Sequence, residues 1–365
     1  MKIPGVYETN FTTELMLSKK PFVLCGAGVP EMGILNRLKR IGGGEHIICL
    51  LEKDGGSIWG MPVISLGDLL KMEKDTMVII SMTYAPYRFY QALSQNGFTN
   101  IYSETGILLS MIDPYIEESR KTFFYKKEIT ENESNINMAR SLLADERSKQ
   151  IFDARLHAYQ TDDWGKLENL WEPSQYFAKD IIRLEKGKEV FVDCGSFDFA
   201  NSMEFIIKTE SDYKHIYAFE MYAPFMRSIE LLVDAYGVKN VSLFDAAVGD
   251  RKRKTMLHAD LLCPGIFIDG TMPCQMDSLD NILYNLPDRP TFIKTDIEGM
   301  DAHAVKGAKK IIQRDKPKLA ISIYHMLGHL WQVPLMIHEF EPSYKLYIRH
   351  HERTIWETVC YAIVR

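Results

Sequence analysis

The chain has 365 residues, of which 46% are hydrophobic and 25% are charged, proportions of an ordinary soluble globular protein with room for two domains. Its formal net charge of −6 argues against broad binding of nucleic acid, which needs a basic face to replace phosphate counterions. No apolar run approaches the roughly 20 residues that span a bilayer, and the N-terminus lacks the apolar core of a signal peptide. The six cysteines include no Cys-x-x-Cys pair, so we expect a cytoplasmic protein.

Residues 1–105 alternate short apolar strands with helical patterns, which is typical of a small, parallel, Rossmann-like α/β domain. Strands are predicted at residues 21–25, 45–51, 77–81 and 100–102. Gly26 and Gly28 follow the first strand as in a dinucleotide fingerprint, but Glu31 stands where the third glycine is required and would repel a phosphate. A structural or homo-oligomerising role is therefore favoured over nucleotide binding for this domain.

Residues 106–174 contain no convincing strand. Their charged stretches include 135–156, where apolar residues recur near helical spacing. This segment is predicted to be a helical bridge between two α/β domains.

Residues 175–365 alternate strands and helices as a doubly wound sheet does. Four acids, Asp193, Glu220, Asp245 and Asp296, each follow an apolar run, so they are expected to converge where the strands end. Clustered carboxylates repel one another and are hard to explain by stability alone. The pattern predicts a cofactor site, and its geometry suits S-adenosylmethionine as well as NAD. Residues 344–364 predict an antiparallel strand pair that closes the sheet.

Several ordered segments carry a resemblance to a known family. They are Gln175-Tyr-Phe, Phe191-Val-Asp-Cys-Gly, Ala218-Phe-Glu, Phe244-Asp-Ala-Ala-Val-Gly-Asp, Ser278-Leu-Asp, Ile293-Lys-Thr-Asp-Ile-Glu-Gly and Lys316-Pro-Lys-Leu-Ala-Ile-Ser-Ile-Tyr-His. From residue 175 to the C-terminus the chain resembles the FkbM-type family of S-adenosylmethionine-dependent O-methyltransferases.

The resemblance implies a seven-stranded class I methyltransferase sheet, mostly parallel with one antiparallel strand near the C-terminus, preceded by a smaller Rossmann-like domain. It also implies transfer of a methyl group to a hydroxyl of a sugar, glycan or other polyhydroxylated metabolite. The sequence does not demand a metal and none is assigned, although Asp296 and Glu298 have oxygens of suitable hardness for a divalent cation.

The roles of individual residues follow from the chemistry of S-adenosylmethionine. In this interpretation Asp193 and Gly195 serve the methionine end, and Tyr176 closes over it. Glu220 accepts both ribose hydroxyls, and Asp245 with Ala246 borders the adenine.

Methyl transfer to a hydroxyl also needs a group that accepts the hydroxyl proton. His325 and Asp296 are the candidates, and His325 is favoured because an ordinary histidine has a pKa near neutrality. Glu298 and Trp331 are predicted to contact the acceptor, although a tryptophan is more often simply part of a core.

Two other functional classes stay open beside the methyltransferase. The first turn of the family reads Asp-x-Gly-x-x-x-Gly, but Phe199 stands at the last glycine and is expected to narrow the cofactor pocket. That favours a noncatalytic glycan or nucleotide-sugar binding protein as the alternative. An NAD-dependent oxidoreductase is disfavoured because the N-terminal fingerprint is broken.

Overall fold

The structure is a computed structural model that describes residues 22–25, 46–50, 57–58, 61–80, 92–103, 118–161, 165–258, 265–266, 272–353 and 356–364. Two compact units are present. The first draws mainly on Met1–Glu131 and Asp153–Leu170, and the second on Asn132–Phe152, Trp171–Glu352 and Trp356–Arg365.

The first unit is built on a six-stranded sheet. Its strands are β1 (Phe22–Cys25), β2 (His46–Leu50), β3 (Ser57–Ile58), β4 (Met61–Ser65), β5 (Met77–Ile80) and β6 (Ile101–Ser103), in the order β3-β4-β2-β1-β5-β6. All neighbours are parallel except β3 and β4. The predicted Rossmann-like sheet is confirmed, and the β3–β4 pair adds to the four predicted strands. Gly26, Gly28 and Glu31 lie outside the described residues.

Helix α1 (Leu66–Leu69) directly follows β4 within the first unit. In the sequence between the two sheets, the described helices are α2 (Glu118–Glu131), α3 (Glu133–Leu142) and α4 (Glu146–Thr161). The sequence predicts one helix over 135–156, whereas the structure breaks it after Leu142. The break forms because the Oδ1 atom of Asp145 accepts the N–H of Ser148 at 2.8 Å, which begins α4 with a side-chain cap.

The second unit is built on a seven-stranded sheet and a small four-stranded sheet. Its strands are β7 (Val190–Cys194), β8 (His215–Phe219), β9 (Val241–Phe244), β10 (Ala247–Val248), β11 (Arg253–His258), β12 (Gly265–Ile266), β13 (Met272–Asp277), β14 (Phe292–Thr295), β15 (Lys318–Ser322), β16 (Lys345–His350) and β17 (Thr358–Ile363). The small sheet has the order β10-β13-β11-β12, and the sequence analysis did not anticipate it.

The large sheet has the order β16-β17-β15-β14-β7-β8-β9. Strand β17 runs antiparallel to both β15 and β16, and the other pairs are parallel. The predicted seven-stranded sheet with one antiparallel strand near the C-terminus is therefore confirmed, as is the closing strand pair.

Helices α5 (Ala200–Lys208), α6 (Ala223–Tyr236), α7 (Leu279–Leu283), α8 (Asp301–Gly307), α9 (Lys309–Asp315) and α10 (His329–Phe340) complete the second unit. Every residue of β7 and β14 is buried. Phe191 stacks on Phe205 with ring centroids 4.8 Å apart and contacts Phe292 at 5.1 Å. Within the described part of the chain, no helix is both long enough and apolar enough to cross a membrane.

The topology brings one end of each of the seven strands to the same edge of the large sheet. Strands β7, β8, β9, β14, β15 and β16 all end there. Because β17 is antiparallel, with Val359 paired to Ser322 and Thr358 paired to His350, it begins at the edge where the others end. Residues that follow the parallel strands and the residue that precedes β17 therefore lie near one another at this edge.

Candidate active site

A cleft of about 290 Å³ opens at this edge of the sheet. Each contributing strand supplies at least one lining residue, namely Gly195 after β7, Glu220 after β8, Ala246 after β9, Asp296 after β14, Tyr324 after β15 and Glu357 before β17. Of the four acids that were expected to converge, Glu220 and Asp296 line the cleft, together with Gly195 and Ala246, whereas Asp193 and Asp245 are absent from its described lining.

Gly195 sits where the turns after β7 and β14 touch. Its φ is +79°, in the left-handed region that favours glycine. The backbone carbonyl oxygen of Asp296 fills the space that a Cβ atom would occupy. Glycine is therefore required here both by the backbone conformation and by the close approach of the second turn.

Phe199 does not narrow the cleft, contrary to the expectation from the sequence. Its φ of 66° is the left-handed conformation that a glycine adopts easily, but its side chain is fully buried in the hydrophobic core under the sheet. Phe197, two residues earlier, lines the cleft and is 51% exposed. It packs edge-on against Phe225 with ring centroids 4.6 Å apart.

Asp193 forms a buried ion pair that the sequence analysis missed. Its Oδ1 atom lies 3.0 Å from Nζ of Lys294, and its Oδ2 atom accepts the hydroxyl of Ser202 at 2.7 Å. Lys294 also donates to the carbonyl oxygen of Gly195 at 2.8 Å. Burial lowers the pKa of Lys294, but the charges of Asp193 and Asp296 and the hydrogen bond to Asp193 together outweigh it, and the net shift is upward.

The consequence is an indirect role for Asp193. Its carboxylate is fully buried and is absent from the cleft lining among the described residues. It holds the Gly195 turn through Lys294. The signal for this pair was a lysine inside the apolar strand Phe292–Thr295, where a charge needs a partner.

Glu220 holds two turns together at the floor of the cleft. Its Oε1 atom accepts the N–H of Tyr222 at 2.8 Å, and its Oε2 atom accepts the N–H of Phe197 at 3.0 Å. Burial raises the pKa of Glu220, and the backbone N–H groups oppose that shift. Each carboxylate oxygen keeps a second lone pair for a ligand.

The two residues predicted beside the adenine are placed differently. Ala246 lines the cleft together with Ala247 and Val248, which form an apolar wall. Asp245 is exposed and does not belong to the described lining.

Asp296 is held by two tyrosine hydroxyls. Tyr324 donates to its Oδ1 atom at 2.9 Å, and Tyr176 donates to its Oδ2 atom at 2.6 Å. Tyr176 is only 1% exposed and lies beneath Asp296, so it orients this carboxylate. The expectation that Tyr176 closes over a ligand does not match this position.

His325 is surrounded by three carboxylates. Its Nδ1 atom is 3.0 Å from Oδ2 of Asp301, and its Nε2 atom is 3.3 Å from Oδ1 of Asp296 and 3.6 Å from Oε2 of Glu298. Burial lowers the pKa of His325, but the three carboxylates outweigh it and raise the pKa to about 10. The imidazole is therefore protonated at neutral pH, and the premise of a neutral-range pKa that favoured it as a base does not hold.

Asp301 is the principal partner of His325. It is fully buried in the first turn of α8 and accepts the hydroxyl of Thr295 at 2.7 Å. Burial raises the pKa of Asp301, but His325, His329 and Thr295 together outweigh it and the net shift is downward. The pair is thus an ion pair that fixes the ring beneath the cleft.

Glu357 is a cleft residue that the sequence analysis did not single out. It precedes β17 with a φ of 56°, and the Nε2 atom of Gln175 donates to its Oε2 atom. The same Gln175 amide reaches the hydroxyl of Tyr176 at 2.8 Å. Burial and the nearby charge of Asp296 raise the pKa of Glu357 to about 8. Only the antiparallel start of β17 places this residue in the cleft.

The two residues predicted to contact an acceptor differ in exposure. Glu298 lines the cleft with its side chain 34% exposed. Trp331 is 1% exposed inside α10 and is absent from the described lining. Its surface is not available to an acceptor, so the prediction for Trp331 is replaced by a core role.

The described lining of the cleft is strongly acidic. It contains the carboxylates of Asp198, Glu220, Asp296, Glu298 and Glu357, whereas the charge of the one lining lysine, at position 294, is paired with a buried aspartate. Such a cleft favours ligands with positive charge or with hydroxyl donors. In the part of the chain described here, no group of three or more His, Cys, Asp or Glu side chains has metal-holding geometry.

The chain is similar to solved methyltransferase structures. Methyltransferase FkbM from Methylobacillus flagellatus KT matches over 98% of this chain and 94% of that protein, with a TM-score of 0.70 and 20% identity. Two other matches are far weaker. An rRNA methylase from Streptococcus thermophilus has a TM-score of 0.31 and 14% identity, over 49% of this chain and 89% of that protein. Fibrillarin from Aeropyrum pernix in complex with S-adenosyl-L-methionine has a TM-score of 0.35 and 12% identity, over 52% of this chain and 72% of that protein. No protein-family model and no curated protein matches the sequence. The predicted resemblance is confirmed at the level of structure: the chain has the fold of methyltransferase FkbM.

Proposed function

We propose that the protein is an S-adenosylmethionine-dependent O-methyltransferase that acts on a hydroxyl of a sugar, glycan or other polyhydroxylated metabolite. The observation that carries the proposal is Glu220, whose carboxylate is anchored by the N–H groups of Phe197 and Tyr222 at the end of β8. In a sheet of this topology that position meets the ribose of an adenosyl ligand. The FkbM-like fold supports the same class of reaction.

The residues of the cleft suit the cofactor. S-adenosylmethionine supplies a methyl group on a sulfonium cation, which is the electrophile of the reaction. Glu220 would accept the ribose hydroxyls, and the wall of Ala246, Ala247 and Val248 would pack against the adenine. The turn at Gly195 would meet the methionine end, and the acidic lining matches the cationic charge.

The side of the cleft that is not assigned to the cofactor suits an acceptor with hydroxyl groups. Asp296, Glu298 and Tyr324 line it, and their oxygens accept or donate hydrogen bonds to hydroxyl groups. Tyr176 and Tyr324 fix the Asp296 carboxylate, so an acceptor that binds it is held in a defined orientation. Alignment of this kind supplies most of the rate enhancement in a displacement reaction.

His325 contributes to this side as a cation. Its imidazolium partly neutralises Asp296 and Glu298, so that two carboxylates can stand close together. The proposal therefore assigns it a positioning role. Removal of the acceptor proton is assigned to a carboxylate.

The noncatalytic alternative loses its main support because Phe199 packs in the core. The cofactor class is tested by calorimetric titration of the whole protein with S-adenosylmethionine and, in parallel, with NAD. A micromolar dissociation constant for S-adenosylmethionine, about −8 kcal/mol, without an NAD response is the expected result. Binding of NAD alone would overturn the proposal.

The acceptor class is tested next. The protein is incubated with S-adenosylmethionine and a panel of polyhydroxylated compounds, and the products are analysed for a gain of one methyl group. Methylation at nitrogen or carbon, with the hydroxyl compounds unchanged, would contradict the O-methyl assignment while keeping the cofactor.

A further inference from the structure

We propose that Glu357 is the general base of the methyl transfer and that its carboxylate lies beside the point where the methyl group is transferred. This inference rests on the proposed function. It adds a catalytic residue that the sequence pattern did not reveal.

The topology divides the cleft into two halves. Strands β7, β8 and β9 supply Gly195, Glu220 and Ala246, which meet the cofactor. Strands β14 and β15 and the start of β17 supply Asp296, Tyr324 and Glu357, which meet the acceptor. The boundary lies between β7 and β14, because these strands are neighbours in the sheet. Methyl transfer takes place at that boundary, so the base must come from the second half.

Four carboxylate or imidazole side chains in that half can hold a proton, and three are already engaged. Glu298 lies 3.6 Å from the Nε2 atom of His325. His325 is protonated and faces three carboxylates. Asp296 accepts a tyrosine hydroxyl at each carboxylate oxygen. Glu357 accepts the Gln175 amide at Oε2, and among the described residues no hydrogen bond reaches Oε1. Glu357 thus has a fixed carboxylate with one oxygen available to an acceptor hydroxyl.

The surroundings of Glu357 give it a suitable proton affinity. Burial, Asp296 and Glu352 raise its pKa, while His325 and Gln175 lower it, and the result is about 8. A cation in the neighbouring half of the cleft would favour the ionised form and bring the pKa towards neutrality. A base with a pKa near the working pH is the most effective.

The step balances without a further reactant. The acceptor oxygen forms a bond to the methyl carbon while the carbon–sulfur bond breaks, and that electron pair remains on sulfur. The proton of the hydroxyl moves to Glu357, which then releases it to solvent. An O-methyl ether and a neutral thioether leave the cleft.

The test needs no acceptor, because two cofactor analogues differ at the point of transfer. Sinefungin carries an amine-bearing carbon in place of the methylated sulfur, whereas S-adenosylhomocysteine has a neutral thioether. The dissociation constants of both are measured by calorimetry at pH 6.5 and pH 8.5, below the pKa of an ordinary alkyl ammonium. Wild type, E357Q and the control E204Q are compared. Glu204 is a carboxylate of the same unit that pairs with Lys208 on the surface of α5.

In wild type and E204Q, the preference for sinefungin over S-adenosylhomocysteine is expected to grow about tenfold between the two pH values, the effect of one pKa unit. In E357Q the preference is expected to stay constant, while S-adenosylhomocysteine still binds and shows that the variant is folded. An unchanged pH dependence in E357Q would overturn the assignment of Glu357. Failure of both analogues to bind wild type would instead overturn the proposed function, and this inference with it.

Discussion

The backbone carbonyl oxygen of Asp296 occupies the space that a Cβ atom at Gly195 would need. This contact joins the turn after β7 to the turn after β14, so it sets the distance between the two halves of the cleft. A side chain at position 195 would force the turns apart.

We expect Gly195→Ala to lower the free energy of unfolding by more than about 3 kcal/mol, because a backbone clash adds to the strain of a positive φ. Gly237→Ala is the matched control. Its φ is +61°, but nothing lies within 4 Å of an added Cβ, so it should cost only about 1 kcal/mol. Urea denaturation of both variants measures the difference, and equal losses would mean that the clash is relieved at no cost.

Lys294→Met should destabilise the fold by about 3–5 kcal/mol, because it leaves the Asp193 carboxylate buried without its partner. The double variant Asp193→Asn/Lys294→Met should recover part of this loss. Lys208→Met removes a surface ion pair, in which the side chain of Lys208 is 28% exposed and that of Glu204 is 39% exposed. This change should alter the free energy of unfolding by less than about 1 kcal/mol. Thermal and urea unfolding give the comparison; a loss from Lys294→Met no larger than that from Lys208→Met would refute the buried-pair account.

Glu220→Gln should weaken binding of S-adenosylmethionine about tenfold or more, since a neutral amide cannot accept hydrogen bonds at both ends. Glutamine is a better probe than alanine here, because it keeps one acceptor for the backbone N–H groups of Phe197 and Tyr222. Asp245→Asn changes an exposed residue outside the cleft lining. It should alter the affinity for S-adenosylmethionine less than about twofold. Calorimetric titration of both variants tests this, and a larger effect from Asp245 would move the adenine site.

The raised pKa of His325 predicts a specific pH dependence of stability. The folded pKa is about 10 against about 6.5 in an unfolded chain, so the protonated ring stabilises the fold fully below pH 6.5. That contribution is lost as the pH rises towards 10. Glu357 acts in the same direction, since its folded pKa of about 8 exceeds the unfolded value. Both groups therefore make the free energy of unfolding larger at the lower pH.

The two contributions are separated by working in Glu357→Gln. In that background the free energy of unfolding should fall by a few kcal/mol between pH 6.5 and pH 9.5, and adding His325→Gln should abolish most of the fall. Adding His303→Gln, a change at a half-exposed histidine, should leave it intact. Urea denaturation at the two pH values is the measurement, and a fall that survives His325→Gln would assign the pH dependence elsewhere.

The sequence alone determined the large sheet and three of the residues that line the cleft. Apolar runs that end in a turn predict buried parallel strands, and the carboxyl ends of parallel strands meet at one edge. The positions of Gly195, Glu220 and Ala246 were predictable for that reason, because each lies within two residues of the end of its strand. The closing pair β16 and β17 was predictable from the same local pattern.

The tertiary structure alone decided which side chains reach the cleft and how they ionise. Asp193 and Trp331 were predicted to contact ligands but are buried. Asp193 is paired with Lys294, and Trp331 lies on a buried part of α10. Glu357 enters the cleft only because β17 runs antiparallel. The pKa of His325, which follows β15, depends on three carboxylates of the segment 296–301, which follows β14. The distances between these two segments are set by packing that no local pattern encodes.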